Sequence, residues 1–402
     1  MKRTQDAMTS REAAEFLGIK LQTLYAYASR GLVKGAPGAN GRGRRYTRAD
    51  LDGLRVRSAG PAAGALRFGE PVLDTSITRM TASGPEYRGR LAVELAAAGT
   101  PFENVAELLW SGYLPDARVA WPRGAIPLAQ LARLVGADPP TPLDVMPLLV
   151  QIAALADRER GDLRPDALIA RGRRLIPLLA AALAPGFVPA AVSRALGASR
   201  VAEIAARALG APDDAAPVLD TALVLLADHE LNASSFTARI AASTGADPYA
   251  CVAAALATVS GPLHGSASEQ VAAFADAVGS PEGARAQVRA LRRRGELPPG
   301  FGHPLYPAGD PRAPPLLDAA ARRATNRRAR TVLAIVDATT DAAPNCDAGL
   351  AALTAALGAP PAAGTGLFAV ARAAGWLAHA LEQRATGHLL RPRARYTGPP
   401  VR

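Results

Sequence analysis

Three of the five histidines stand in polar stretches bounded by turns: His229 in "LLADHELNASS", His264 in "SGPLHGSASE" and His303 in "PGFGHPLYPAGDPRA". Imidazole titrates nearest to neutral pH, so such a ring can accept, donate or withhold a proton under working conditions. His379 and His388 fall near a helix and its end and read as ordinary positions. His264 follows the helical stretch "DPYACVAAALATVS", and another helix is expected to start near Ser266. A ring at a helix N-terminus tends to stay neutral, because the positive end of the dipole disfavours a second positive charge. A neutral ring can donate a hydrogen bond to a carbonyl oxygen as negative charge grows there; a capping histidine would look the same. Asp347, in "APNCDAGLAALTAALG", opens a helix and is either a simple cap or a general base. Arg312, Arg372 and Arg391 recur in "DPRA", "VARAAG" and "LLRPRARY". Guanidinium groups grip carboxylates with two hydrogen bonds and keep their charge. Gathered around one cavity, these groups suit a small dianionic acid; spread over the surface they would carry no meaning. Pro304 and Pro307 stiffen the turn between His303 and Arg312.

The elements that must hold these residues are mostly helical. At 402 residues and 49% hydrophobic content the chain can build a large core and two or three domains. Helical patterns run through "FENVAELLWSGYL", "LARLVGA", "DALIARGRRLIPLLAAAL", "DAAPVLDTALVLLADHEL" and "LFAVARAAGWLAHALEQRA", with a small sheet expected at "ALRFGEPVLDTSITRM". No strand precedes a glycine fingerprint, which argues against a nucleotide-binding Rossmann unit, and no metal-ligand spacing occurs. "LIPLLAAALAPGFVPAA" is interrupted by prolines and falls short of a membrane span. The charged start and two unpaired-looking cysteines, Cys251 and Cys346, lead to the expectation of a cytoplasmic protein.

Charge divides the chain. Residues 1–57 carry twelve Lys and Arg against five acids, +7 of the total +11. In this head Thr9 and Glu12 form a capping-box pattern, Gly18 closes a first helix, and a second puts Leu21, Leu24 and Ala28 on one face. A basic turn-rich hairpin follows, so the head has the shape of a winged helix-turn-helix. It resembles MerR-like and excisionase-like DNA-binding domains through "REAAEFLGI", "TLYAYASRGLV" and "RRYTRADL". That resemblance implies that Gln22, Thr23 and Tyr25 face the major groove of double-stranded DNA, with Arg44 and Arg45 on phosphates. A protein-contact module of the same shape is the alternative. Residues 58–65 read as a linker.

From about residue 66 onward the chain resembles citrate synthase, through "YRGR", "FENVAELLWSGYLP", "ADHELNASSFTARIAAST", "GPLHGSASE", "GFGHPLY", "PNCDAGLAAL" and "LFAVARAAGWLAHALEQRATGHLLRPRARY". The resemblance implies a mainly α, two-domain, dimeric fold with its site in the interdomain cleft. The large domain would span 66–265 and 358–402, and the small domain 266–357. By matching motifs, Asp347 would remove a proton from the methyl group of acetyl-CoA while His264 stabilises the enol. His303 would polarise the carbonyl of oxaloacetate. His229, Arg312 and Arg372 would hold its carboxylates, and Arg391 would come from the partner subunit. Acetyl-CoA is then a substrate and no resident cofactor is implied. The chain departs from the family at Pro304-Leu305-Tyr306-Pro307, where the commoner bacterial wording is Arg-Val-Tyr-Lys, and at Leu226, where a histidine is usual. Arg292, Arg293 or Arg294 is the expected substitute for the missing CoA-phosphate contacts. Two other functions fit the same residues: a 2-methylcitrate synthase using propionyl-CoA, and a transcription regulator sensing a metabolite through this domain.

Overall fold

The structure, a computed structural model, describes residues 7–17, 21–29, 33, 35–37, 44–47, 51, 73–122 and 140–393. Gly18, the linker 58–65 and "LARLVGA" lie outside the described residues. The chain divides into two compact units, 1–74 and 75–402.

The first unit contains β1 (Ala7–Thr9), α1 (Ser10–Phe16), α2 (Leu21–Ser29), β2 (Ala36–Pro37) and β3 (Arg44–Thr47), with β3 antiparallel between β1 and β2. The expected capping box is present: the Glu12 N–H donates to Thr9 Oγ1 at 3.3 Å, and the Thr9 N–H donates to the Glu12 carboxylate at 2.7 Å. Ala13, Ala14, Leu24, Val33, Tyr46 and Leu51 form a small core. Leu21 is 36% exposed, contrary to expectation. It sits on the opening turn of α2, past the end of that small core.

The second unit begins with an antiparallel sheet of β4 (Thr78–Thr81), β5 (Gly84–Tyr87) and β6 (Arg90–Leu91). Of the described part of the stretch expected to form a sheet, the last residues are in β4, and the partner strands lie downstream. The helices follow in order: α3 (Ala92–Ala97), α4 (Phe102–Ser111), α5 (Pro142–Ala156), α6 (Pro165–Ala181), α7 (Pro189–Leu196), α8 (Val201–Leu209), α9 (Ala216–Leu226), α10 (Ala233–Ser243) and α11 (Pro248–Val259). Then come α12 (Ala267–Val278), α13 (Pro281–Arg293), α14 (Ala313–Ala321), α15 (Arg327–Ala338), α16 (Cys346–Ala356) and α17 (Ala363–Thr386).

α17 is the axis of this unit. Its 24 residues span about 36 Å at the usual helical rise. Every residue from Ala363 to Ala380 is buried, so apolar residues surround the helix rather than forming one stripe. α4, α6, α9, α10 and α11 all pack on it. The polar groups inside so apolar a rod, Arg372 and His379, must therefore answer to buried partners. α14 packs against α16, and α13 against α15. No described helix is long and apolar enough to cross a membrane.

Candidate active site

Five chain segments deliver the site. α16 starts where Asn345 caps it, its Oδ1 accepting from the N–H groups of Asp347 (2.9 Å) and Ala348 (3.3 Å). This fixes Asp347 in the first turn. The loop carrying His303 is laced to the same place. The Gly302 N–H donates to the Ala343 carbonyl at 2.9 Å, the Asn345 N–H to that of Gly300 at 2.9 Å, and Asn345 Nδ2 to that of Gly302 at 3.1 Å. Gly300 and Gly302 have φ of +85° and +73°, a left-handed backbone that other residues resist. Glycine thus lets the loop turn back against α16 and present His303.

The prolines after His303 bear on its protonation. The Leu305 N–H donates to His303 Nδ1 at 3.1 Å, and the Tyr306 N–H to the His303 carbonyl at 3.0 Å. Pro304 offers no N–H to compete. Burial, and then the positive field of Arg312, lowers the His303 pKa, so the ring is neutral. With Nδ1 accepting, its proton belongs on Nε2, which is left as a donor.

His229 joins this group from the segment after α9. Its ring lies 5.4 Å from that of His303, and its Nε2 is 3.2 Å from the Tyr306 hydroxyl. Burial, followed by Arg312, Arg372 and His303, holds His229 well below its usual pKa. Burial drives the Tyr306 phenol up.

His264 sits between α11 and α12, whose N-cap is Ser266 as expected. Burial, then Arg372, lowers its pKa to about 4. The expectation of a neutral ring therefore stands, with burial as its main cause. Its Nε2 lies 2.8 Å from Ser234 Oγ, which also accepts from Trp376 Nε1 at 3.0 Å. The His264 ring meets Phe368 edge-on at 5.8 Å, and Arg372 stacks over the same phenyl at 4.6 Å. Asp347 is pushed up to about 6, chiefly by burial, with Arg312 opposing. Arg372 acts on both His264 and Asp347; no hydrogen bond joins those two directly among the described residues.

The two buried arginines differ. Arg312 Nε and Nη2 donate to Asp310 at 2.9 and 2.8 Å, so one side of its fork is already occupied. Asp310 also accepts the Cys346 N–H at 2.9 Å, tying Arg312 to the start of α16. Arg372 makes one hydrogen bond, from Nε to the Leu226 carbonyl at 2.9 Å. Among the described residues its terminal nitrogens have no hydrogen-bond or ion-pair partner, though the residue is only 1% exposed. A buried guanidinium so placed calls for an anion.

Cys346 and Cys251 are both buried free thiols. Burial pushes Cys346 well above its usual pKa, and Asp347 and Asp310 add to this against Arg312.

Other expectations fare unevenly. Arg391 is exposed beyond α17 and makes no hydrogen bond or ion pair among the described residues. Arg292 pairs with Asp341 at 3.2 Å and Arg294 with Glu296 at 2.9 Å, which leaves Arg293 of that trio without an ion-pair partner among the described residues. Leu226 is fully buried in the main core. His379, read as an ordinary position, is fully buried and faces Asp228 at 3.4 Å. Sequence reading also passed over Ser234, Asp310 and Tyr306. Asp310 had a local signal, standing two residues before Arg312; Ser234 had only its place in "NASS". A cavity of about 350 Å³ at the far end of α16, lined by Asp276, Asn326 and Arg328, contains none of these groups. In the first unit, Gln22 and Tyr25 are exposed on α2 and Arg44 and Arg45 on β3, while the Thr23 side chain lies outside the described residues.

Comparison with known proteins finds two family models on this chain. "Citrate synthase, C-terminal domain" matches residues 67–393, and "Helix-turn-helix domain" matches residues 7–54. The latter description is coarser than a MerR-like assignment. Citrate synthase 2 of Bacillus subtilis is 33% identical over 325 residues, covering 74% of this chain and 86% of the relative. A 2-methylcitrate synthase of Mycobacterium tuberculosis is 32% identical over 339 residues, covering 78% and 84%. Among solved structures, citrate synthase from Thermotoga maritima superposes with a TM-score of 0.67 at 27% identity, covering 82% of this chain and 94% of that one. Citrate synthase from Pyrobaculum aerophilum gives 0.68 at 27% identity, covering 82% and 91%.

Proposed function

Since the chain belongs to the citrate synthase family and is an acyltransferase of that type, we propose that it condenses a short acyl-CoA with oxaloacetate at the cluster around Arg372. The observation that carries this reading is Arg372 itself, a buried cation whose terminal nitrogens pair with no protein carboxylate among the described residues, acting on His264 and Asp347 alike. A substrate carboxylate completes it. His229 and the open side of Arg312 take the second carboxylate, and the partner subunit's Arg391 adds to the grip.

The chemistry follows from the protonation states. Asp347 takes a proton from the carbon next to the thioester carbonyl, and His264 steadies the enol oxygen. That role needs the His264 proton on Nδ1, so Nε2 must accept from the Ser234 hydroxyl. Ser234 Oγ accepts from Trp376 Nε1 and also lies 2.9 Å from Asn232 Oδ1, so its single proton must turn from that amide oxygen to His264 Nε2 for this role. The enol carbon then bonds to the keto carbon of oxaloacetate, whose oxygen receives the proton of His303 Nε2. Water cleaves the thioester, releasing CoA as its thiol. Neutral donors and a carboxylate raised towards neutrality suit proton removal from a weak carbon acid.

Either acetyl-CoA or propionyl-CoA fits this scheme, and the relatives include enzymes named for each product. Arg293 is the proposed contact for a CoA phosphate; Arg293→Gln is expected to raise KM for the thioester severalfold with kcat kept. For the head, we infer binding to duplex DNA, with Gln22, Thr23 and Tyr25 towards the groove and Arg44 and Arg45 on phosphates. Oxaloacetate-dependent thiol release, measured with acetyl-CoA beside propionyl-CoA, tests the reading. Release ranks the two thioesters. Tight oxaloacetate binding with no release from either would instead favour a metabolite-sensing regulator.

A further inference from the structure

α17 places Arg372, Gly375 and His379 three and four residues apart, on one face. The segment between α9 and α10 lies along that face, residue by residue. Arg372 Nε donates to the Leu226 carbonyl at 2.9 Å, the Gly375 N–H donates to that of Ala227 at 3.1 Å, and His379 Nε2 stands 3.4 Å from Asp228 Oδ1. Only a glycine permits this approach at 375, since a Cβ there would overlap Asp228 Oδ1. The Tyr87 hydroxyl, 3.1 Å from the Asp228 carbonyl, pins the segment from the other side. The next residue is His229.

Asp228 and His379 are both completely buried. Asp228 Oδ1 and the His379 ring nitrogens make no hydrogen bond and meet only at the 3.4 Å ion-pair distance, while Asp228 Oδ2 accepts the Glu230 N–H at 3.1 Å and the Thr78 side chain also favours the charged carboxylate. Burial alone would raise the Asp228 carboxyl; His379 first, then Arg372, outweigh it, so the group is an anion. It is also the main attractive influence on Arg372, although no ion pair joins them. A buried carboxylate beside a buried guanidinium should collapse onto it, because the bidentate pair is the stronger arrangement. Something holds Asp228 off.

We propose that His379 and Asp228 are a positioning pair: His379 anchors the Asp228 carboxylate so that it balances the charge of Arg372 without occupying the guanidinium, which stays open to substrate. Freed from His379, Asp228 would turn to Arg372, and oxaloacetate would have to displace it. The proposal rests on oxaloacetate being the ligand of Arg372.

The test uses the full chain. His379→Gln keeps an N–H at similar reach and is expected to hold KM and the directly measured Kd for oxaloacetate within about twofold of the parent. His379→Leu, with no donor, is expected to raise both at least tenfold while saturated kcat changes less than about threefold. Adding Asp228→Asn to His379→Leu removes the competing charge and is expected to recover most of the affinity. A merely structural role would lower the melting temperature and the active fraction, leave KM alone, and make the double variant worse than either single one. Should His379→Leu fail to fold, His379→Asn, whose shorter amide falls short of Asp228, gives the same readout. Unchanged oxaloacetate affinity in His379→Leu or His379→Asn, or no recovery in the double variant, overturns the proposal. A parent that does not bind oxaloacetate overturns the reading of the site, and the pair proposal with it.

Discussion

In the proposed reaction Asp347 must be ionised to take a proton, and burial lifts its carboxyl to about 6. Below that pH the protonated form dominates, so kcat/KM for the thioester at saturating oxaloacetate should fall about tenfold per pH unit below about pH 6. His264, at about 4, stays neutral through that range and adds no second limb near pH 6. A flat profile between pH 5 and 7 would remove Asp347 as the base. Asp347→Asn should lower kcat about 10²- to 10⁴-fold, the usual contribution of such a group, with oxaloacetate still bound. The raised pKa has a cost in stability as well. A carboxyl that is harder to ionise folded than unfolded adds stability that is full below its ordinary value of 3.8 and is lost as pH rises through about 6, above which it no longer changes.

At the level of elements, the meeting of α17 with the 226–229 segment is a tight joint near the site. Gly375→Ala would drive a methyl group into Asp228 Oδ1 and the Ala227 carbonyl. Overpacking of that kind costs about 1–3 kcal/mol, readable as a lower denaturant midpoint, and the displaced segment carries His229, so KM for oxaloacetate should rise too. This joint also marks where sequence reading ends. Asp347 and the His303 turn were legible because caps, glycines and prolines are local signals. The strong helical pattern gave α17 for the same reason. Asp228 and His379 lie far apart in the chain, and nothing local in "ADHEL" or "LAHAL" joins them. His264 shows a subtler limit: its neutrality was expected from the dipole, whereas burial, a tertiary property, supplies most of it.

On the scale of the molecule, two units with separate hydrophobic cores share one chain. The head carries +7 of the +11 charge, the balance expected of a surface that meets phosphates. Its core is small enough that Leu24→Ala, emptying a fully buried site, should cost about 2–5 kcal/mol and unfold it. DNA binding should then vanish while thioester turnover persists, measured on the same preparation. In the intact chain, Arg44→Gln with Arg45→Gln should reduce the slope of log K against log salt by about 0.9 for each phosphate no longer neutralised. Equal slopes for parent and variant would take these arginines off the DNA.

The burial of Cys346 has a chemical consequence for a protein that handles activated acyl groups. Thiolates exchange readily with thioesters, and this sulfur is next in sequence to Asp347, the proposed base. Because it remains a thiol, shut in beside Asp310 and Asp347, it is a poor acceptor for transacylation. The acyl group therefore stays on its carrier. Intact mass spectrometry after incubation with acyl-CoA alone should find no S-acyl adduct on Cys346, and self-acylation there would mean that the sulfur ionises after all.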